Sequence, residues 1–454
     1  MTTIFSEHVL LEGGWAKNVR LKITKGTITE IHPSSAASPD DICVNTLLPA
    51  LANLHSHSFQ RAMAGMTEHR AAGRDSFWTW RTLMYRFVDR LTPEQIEAFA
   101  CLVFMEVQEA GFASVGEFHY LHHQTGGQSY DTLSELTNRI FSAATVSGIG
   151  LTHLPVFYTY GGAGRTGLTG GQLRFGNDLD RYNRLVSEAR ETAKSLNSDT
   201  NVGIAPHSLR ATSPENLQEV VAAHPDGPIH IHISEQLKEV AEIEAWLGQR
   251  PVAWLLENLA VDNRWCLIHA THMTKSETIG LAQSGAVAGL CPITEANLGD
   301  GPFNGATYLE NGGAFGLGSD SNVHISLTQE LRMLEYSQRL RDMARNVLVV
   351  GEGSVGETLY LGAALGGAQA LGRNAGLIKI GATADLVAID RNDPALCALN
   401  DDQLLDGLVF AANDNIVTDL WSAGRHQVQN GRHIERDQIV ENYRKAIAQL
   451  LGDI

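Results

Sequence analysis

Leu47-Leu48-Pro49-Ala50-Leu51-Ala52-Asn53-Leu54-His55-Ser56-His57 is the stretch on which the fold turns. An apolar run of this length with no polar alternation reads as a strand buried on both faces. It stops at two histidines spaced two apart. Side chains two apart in a strand share a face, so both imidazoles converge at the strand's end.

Working outward from it, short apolar runs alternate with longer amphipathic segments, in the order strand then helix. The strand candidates are Leu47–Leu54, Ala113–Phe118, Gly150–Phe157, Val202–Pro206, Ile229–Ile233, Cys266–Ile268, Ala286–Leu290 and Phe315–Gly318. The helices between them carry start signals. Thr92-Pro93-Glu94-Gln95 is a capping box with proline at the first helical position, and Ser213-Pro214-Glu215 and Thr274-Lys275-Ser276-Glu277 are similar. Eight strand–helix units predict an α/β fold, a (β/α)8 TIM barrel, in preference to an open doubly wound sheet.

The flanks differ. Val19–Ile23 and Thr27–Ile31 alternate in polarity about a Lys25-Gly26 turn, and after Leu371 short strands return, with Gly381–Asp390 turning into an apolar strand. The two chain ends therefore predict one small β-sandwich domain, from residues 1–48 and from residues 374–454 with a closing helix. Residues 49–373 are expected to form the barrel inserted between them.

Composition bounds the function. The 454 residues include 51 acidic and 34 basic ones, a net charge of −17. Such a surface repels nucleic acid and anionic membranes, so neither is an expected partner. Hydrophobic residues at 43% exclude a wholly disordered chain. No apolar run of about 18 residues suggests a membrane span, and Met1–Leu11 lacks the pattern of a secretory signal. Five scattered cysteines without a CxxC pair argue for a reducing compartment, hence the cytoplasm. The 18 histidines point toward metal or acid–base chemistry.

That chemistry gathers at strand ends. Strand five gives His230-Ile231-His232-Ile233-Ser234-Glu235, strand six ends at His269, and strand eight gives Gly316-Leu317-Gly318-Ser319-Asp320. Each lands on the C-terminal rim, where barrel enzymes place their sites. Three histidines and one aspartate are ligand types that suit a divalent transition metal, zinc or iron first, with water in the open position. His230 lies one layer deeper than His232 and reads either as a support behind the ligands or as packing. A two-metal variant would call for a lysine or extra carboxylate at strand four. That strand ends Ala205-Pro206-His207-Ser208, so one metal is the simpler reading. Glu235 is placed to move protons between water and a leaving nitrogen, and His269 to polarise the reacting group.

Arg81 follows the aromatic run Phe77-Trp78-Thr79-Trp80, Arg210 follows His207, and Gln60 and Tyr120 sit just past strands one and two. Together at the barrel mouth they suggest a small anionic substrate, since arginine pairs bidentately with carboxylates. Gly162-Ala163-Gly164-Arg165-Thr166-Gly167 matches G-x-G-x-x-G, but Leu168-Thr169-Gly170-Gly171 is poor helix material. We read it as a mobile rim loop or lid, not a dinucleotide site.

These residues resemble the amidohydrolase superfamily in its mononuclear deaminase branch: His55-x-His57, His232-x-x-Glu235, His269 and Asp320 match its motifs in order. More closely, Leu48 to Ala62, Phe77 to Arg86 and His207-Ser208-Leu209-Arg210 are similar to the formimidoylglutamate deiminase family. That resemblance implies hydrolysis of N-formimino-L-glutamate to N-formyl-L-glutamate and ammonia in histidine breakdown, by a homodimer with one zinc per chain. It implies zinc ligands at His55, His57, His232 and Asp320, catalytic roles for Glu235, His269 and Asp320, and substrate contacts from Gln60, Arg81, Tyr120, His207 and Arg210. The rival readings are a nucleobase or adenosine-type deaminase on the same scaffold and a non-catalytic binding module, which would have lost a ligand or the proton shuttle.

Overall fold

The computed structural model describes residues 2–69 and 77–452. The chain opens with β1 (Thr2–Leu11), β2 (Gly14–Thr24), β3 (Thr27–His32) and β4 (Ile42–Pro49). Lys25 and Gly26 both take positive φ, 50° and 79°, which is the two-residue turn that the twist of a hairpin favours. The barrel strands follow: β5 (Leu51–Ser56), β6 (Phe112–His119), β7 (Gly150–Phe157), β8 (Asn201–Val202), β9 (Ala205–Pro206), β10 (Ile229–Ile233), β11 (Trp265–His269), β12 (Val287–Leu290) and β13 (Ala314–Leu317). The chain then returns to the first sheet through β14 (Leu386–Ile389), β15 (Val417–Ser422), β16 (Arg425–Gln429) and β17 (Arg432–His433).

The parallel sheet runs β10-β11-β12-β13-β5-β6-β7-β8, with β9 on β7. His230 N–H donates to Ile204 O at 3.0 Å and His232 N–H to His207 O at 3.0 Å, which joins the two ends of that order into a barrel. Its fourth stave is two short pieces where the sequence suggested one strand, Val202–Pro206. The break falls at Gly203, where a Cβ would stand 2.6 Å from Pro228 O. Every residue of β5, β6, β7, β10, β11 and β12 is buried, as the continuous apolar runs implied.

The expected first strand, Leu47–Leu54, is also divided. Leu47–Pro49 end β4 in the outer sheet and β5 starts at Leu51. Pro49 has no N–H to give a ladder, and Ala50 N–H turns instead to Asp385 O at 3.0 Å. The two chain ends do meet in one β unit. Among the described residues its strands form a single mixed sheet, in the order β17-β16-β15-β14-β4-β1-β2-β3, where two packed sheets were expected. The reason is β4, which pairs with β1 on one side and β14 on the other. The sheet curls over on itself. The Gly26 turn lies against Ala423, and Leu21, Ile28, Leu386 and Trp421 share one core. The closing helix Arg436–Gly452 packs Tyr443 edge-on against Phe99, ring centroids 5.6 Å apart.

Helix Val355–Ala370 lies on β13 and β5 along a face of small residues. A Cβ at Gly366 would meet Phe315 O at 1.9 Å, and one at Gly367 would stand 3.0 Å from Ala52 O. These contacts press the last barrel strand toward the first. Gly366→Ala is therefore expected to cost about 1–3 kcal/mol of stability, read as a lower denaturation midpoint. An unchanged midpoint would contradict this packing.

Candidate active site

β5 delivers His55 and His57, β10 delivers His232, and Asp320 follows β13. Their ligand atoms all lie within 4.8 Å of one another and all four residues are buried. His55 Nε2 stands 3.2 Å from His57 Nε2 and 3.1 Å from His232 Nε2. Asp320 Oδ1 is 3.4 Å from His55 Nε2 and 3.2 Å from His57 Nε2. On the far side of two rings, His57 Nδ1 donates to Phe118 O at 2.9 Å and His232 Nδ1 to His207 O at 3.2 Å. A carbonyl only accepts, so hydrogen sits on Nδ1 and the Nε2 lone pair faces the centre. Burial pushes all three imidazoles below their usual value, His55 down to about 3 with help from His57. They are neutral, as ligands must be. Burial would raise Asp320, but its hydrogen bond with His55 and the imidazoles of His57, His55 and His269 outweigh it and hold the carboxyl well below the usual range. Three imidazole nitrogens and a carboxylate oxygen converging in this way fit a divalent transition-metal ion.

The backbone is bent to make this set. Asp320 N–H donates to His55 O and His57 N–H to Asp320 O, both at 2.9 Å. Asp320 has φ +46°, a left-handed conformation that costs about 1–3 kcal/mol and persists where its surroundings over-determine it. Asn53, Ser319 and Asn322 supply that constraint: Asn53 Nδ2 donates to Ser319 Oγ, Ser319 Oγ to Asn322 Oδ1, and Asn322 Nδ2 to Asp320 O. Gly318 is required beside them, because a Cβ there would come 2.7 Å from His55 Cβ.

Glu235 follows Ser234, itself at φ +53°, so the chain turns at the end of β10 and carries the glutamate into the cavity. The buried Glu239 accepts both Ser234 N–H and Glu235 N–H, at 3.1 and 3.0 Å, and sets that turn. Glu235 Oε1 is 3.7 Å from His269 Nε2, and Oε2 is 3.8 Å from Arg210 Nη2. Burial raises the Glu235 carboxyl, against the pull of His269 and Arg210. Burial alone would lower His269, but Glu235, Glu295 and Asp320 surround it and push it up to about 10.

Gln60, Arg81, Tyr120, His207 and Arg210 all face the same cavity as His57, His232, Glu235, His269 and Asp320. Gln60 Nε2 donates to Tyr120 Oη at 2.6 Å. Arg81 Nε donates to Tyr85 Oη at 2.8 Å and its Nη2 to Tyr158 Oη at 3.2 Å. Burial, with Arg210 and Arg81 next, keeps His207 well below its usual value. Of the aromatic run before Arg81, the side chains of Phe77, Trp78 and Thr79 lie outside the described residues; Trp80 lines the cavity.

The sequence reading missed Tyr85, Tyr158 and Glu295. Tyr158 had a usable signal, since it follows Phe157 at a strand end as His269 and Asp320 do. Tyr85 stands one helical turn from Arg81. Glu295 looked like an ordinary acid at a helix start. His230 packs as expected, its Nε2 donating to Ala370 O at 2.7 Å. The glycine-rich segment forms a turn bridged between Gly162 and Thr166, then a short 3-10 helix Gly170–Arg174. No phosphate-binding helix follows it directly, and Arg165 reaches Glu215 at 2.6 Å.

Comparison with known proteins extends this geometry. The model of the amidohydrolase family matches residues 46–426. A second model, described as formimidoylglutamate deiminase HutF, N-terminal domain, matches residues 1–42. The chain is 48% identical over 457 residues to a formimidoylglutamate deiminase of Pseudomonas aeruginosa, covering 100% of both chains. It is 25% identical to a 5-methylthioadenosine/S-adenosylhomocysteine deaminase of Haloarcula marismortui, over 87% of this chain and 82% of that one. Among solved structures, an amidohydrolase from Brucella melitensis superposes with a TM-score of 0.95 at 49% identity, covering 99% of this chain and 100% of the other. An adenosine deaminase from Xanthomonas campestris with bound zinc has the same fold, with a TM-score of 0.82 at 22% identity over 99% and 98% of the two chains.

The imidazoles also give a pH signature. Away from the ligand set, His119 ends β6, His122 and His123 follow it and His153 lies in β7; burial lowers each of them, His123 to about 4 and His153 to about 3. Unfolded histidine titrates near 6.5. A folded value below that means stability present above about pH 6.5 and lost as pH falls toward 4. His269 has the opposite sign: its contribution is full below about 6.5 and lost as pH rises toward 10. The metal-free chain is expected to lose stability in denaturant between pH 7 and pH 5. A flat profile over that window would contradict buried neutral imidazoles.

Proposed function

The chain belongs to the amidohydrolase family and, within it, to the formimidoylglutamate deiminases; from that premise we propose that it hydrolyses N-formimino-L-glutamate to N-formyl-L-glutamate and ammonia in histidine breakdown. The observation that carries the reading is one cavity holding both the ligand cage and two guanidinium groups, Arg81 and Arg210.

His55, His57, His232 and Asp320 hold the metal, which we take to be one zinc ion per chain. When bound it supplies a Lewis acid that makes water a competent nucleophile near neutral pH. Glu235 takes a proton from the attacking water and returns it to the amidine nitrogen; the second proton of that water follows as its oxygen becomes the formyl carbonyl, and the nitrogen leaves as ammonia. Its raised pKa suits both halves of that transfer. Asp320 assists the first half. His269 faces the oxygen on which charge develops and stabilises it. Arg81 and Arg210 pair with the two carboxylates of the glutamate portion, while Gln60, Tyr120 and His207 complete its wall, so the reacting carbon is held in place.

The adenosine-type alternative needs aromatic faces to stack a base. Tyr85 and Tyr158 do line the cavity, but their hydroxyls hold Arg81. That favours a dicarboxylate over a base. A homodimer and a cytoplasmic setting complete the proposal. An exposed apolar stripe of Tyr336, Leu340 and Met343 supports the first, and five unpaired cysteines the second.

Ammonia release should be fast with N-formimino-L-glutamate and absent with adenosine, guanine and cytosine. The reverse order would overturn the assignment. Glu235→Gln is expected to lose about 10²–10⁴-fold in rate with its metal content intact; near-normal turnover would remove Glu235 from the mechanism. Arg210→Ala should raise KM for the dicarboxylate more than for a monocarboxylate analogue, and equal effects on both would place the second carboxylate elsewhere.

A further inference from the structure

Helix Pro292–Leu298 starts just past β12 and carries Glu295, which is buried yet does not line the substrate cavity. Its Oε1 accepts two hydrogen bonds. One comes from Cys291 N–H at 2.9 Å and closes the helix's own start, so the carboxylate is anchored independently of the cavity. The other comes from His269 Nδ1 at 3.3 Å and reaches across from strand seven to strand six. The opposite ring nitrogen, Nε2, faces Glu235 Oε1 at 3.7 Å and Asp320 Oδ2 at 3.9 Å. His269 thus lies between one carboxylate behind it and two in front.

The backbone does not secure the ring alone. His269 and Ala270 both have positive φ, +69° and +46°. Two successive left-handed residues without glycine carry strain, and what over-determines them must come from contacts. The His232 ring stacks on one face of His269, centroids 5.6 Å apart and planes 17° from parallel. Stacking restrains tilt but permits a flip about the ring's own bond, which would exchange the two edges. Only a partner in the ring plane distinguishes them.

We propose that Glu295 is a positioning residue for the deimination: it holds His269 with Nδ1–H turned toward itself, and so fixes Nε2 as the atom that faces the reacting centre. The effect on rate rests on the function proposed above; the placement of the ring does not. A carboxylate that only capped its helix would affect folding and leave His269 indifferent.

The test is a double-mutant cycle with a spectroscopic arm. Glu295→Gln keeps an acceptor oxygen for both bonds and should stay within about tenfold of the parent kcat. Glu295→Ala should lose about 10–100-fold in kcat, with KM within about threefold and metal content unchanged. In a His269→Ala background, Glu295→Ala should add less than about twofold, because the partner it acts through is gone. In ¹H–¹⁵N spectra of the metal-free chain, the Nδ1 proton of His269, identified by its loss in His269→Ala, should persist in Glu295→Gln and vanish by exchange in Glu295→Ala. Equal losses from Glu295→Ala in both backgrounds, or a surviving Nδ1 proton, would overturn the proposal. If the parent chain proves inactive on N-formimino-L-glutamate, the spectra still decide the placement of the ring.

Discussion

Two backbone hydrogen bonds, Asp320 N–H to His55 O and His57 N–H to Asp320 O, tie the last barrel strand to the first at the point where the ligands emerge. Everything else at the site depends on that junction. It sets the Asp320 carboxylate against the His55-x-His57 pair, and the small residues of helix Val355–Ala370 press it together from outside. Gly318 and the left-handed Asp320 are its local cost, and the Asn53–Ser319–Asn322 bonds over-determine it. A barrel whose ends met one residue out of register would turn these side chains to the wrong face.

The electrostatics follow from burial around that junction. Burial keeps the three ligand imidazoles neutral and holds Glu235 toward its protonated form, while the carboxylates around His269 hold that imidazole protonated as well. Positive charge is placed separately. Arg81 hangs from Tyr85 and Tyr158, and Arg210 stands beside Glu235. A net charge of −17 therefore conceals a pocket suited to an anion.

Much of this was legible in the sequence because barrel strands are locally encoded. Apolar runs ending in His57, His232, His269 and Asp320 report their own geometry, since strand alternation alone decides which side chains reach the rim. Glu235 was legible from its spacing, and the glycine-rich decoy from the absence of a helix after it. What escaped depends on tertiary pairing. Nothing near Pro49 says that the strand before it belongs to a different sheet from the strand after it. Only the partners β1 and β14 decide that, and they also make the outer domain one curled sheet. Glu295 escaped for the same reason: an acid in the first turn of a helix has a sufficient local explanation, and its second bond, to His269, crosses between strands.

The central claim is a single metal ion held by His55, His57, His232 and Asp320. The most direct measurement strips the chain of metal with a chelator, adds zinc in substoichiometric steps, and follows ammonia release from N-formimino-L-glutamate. Activity should rise linearly and saturate at one ion per chain. Saturation only at two ions, or full activity in the stripped chain, would contradict it.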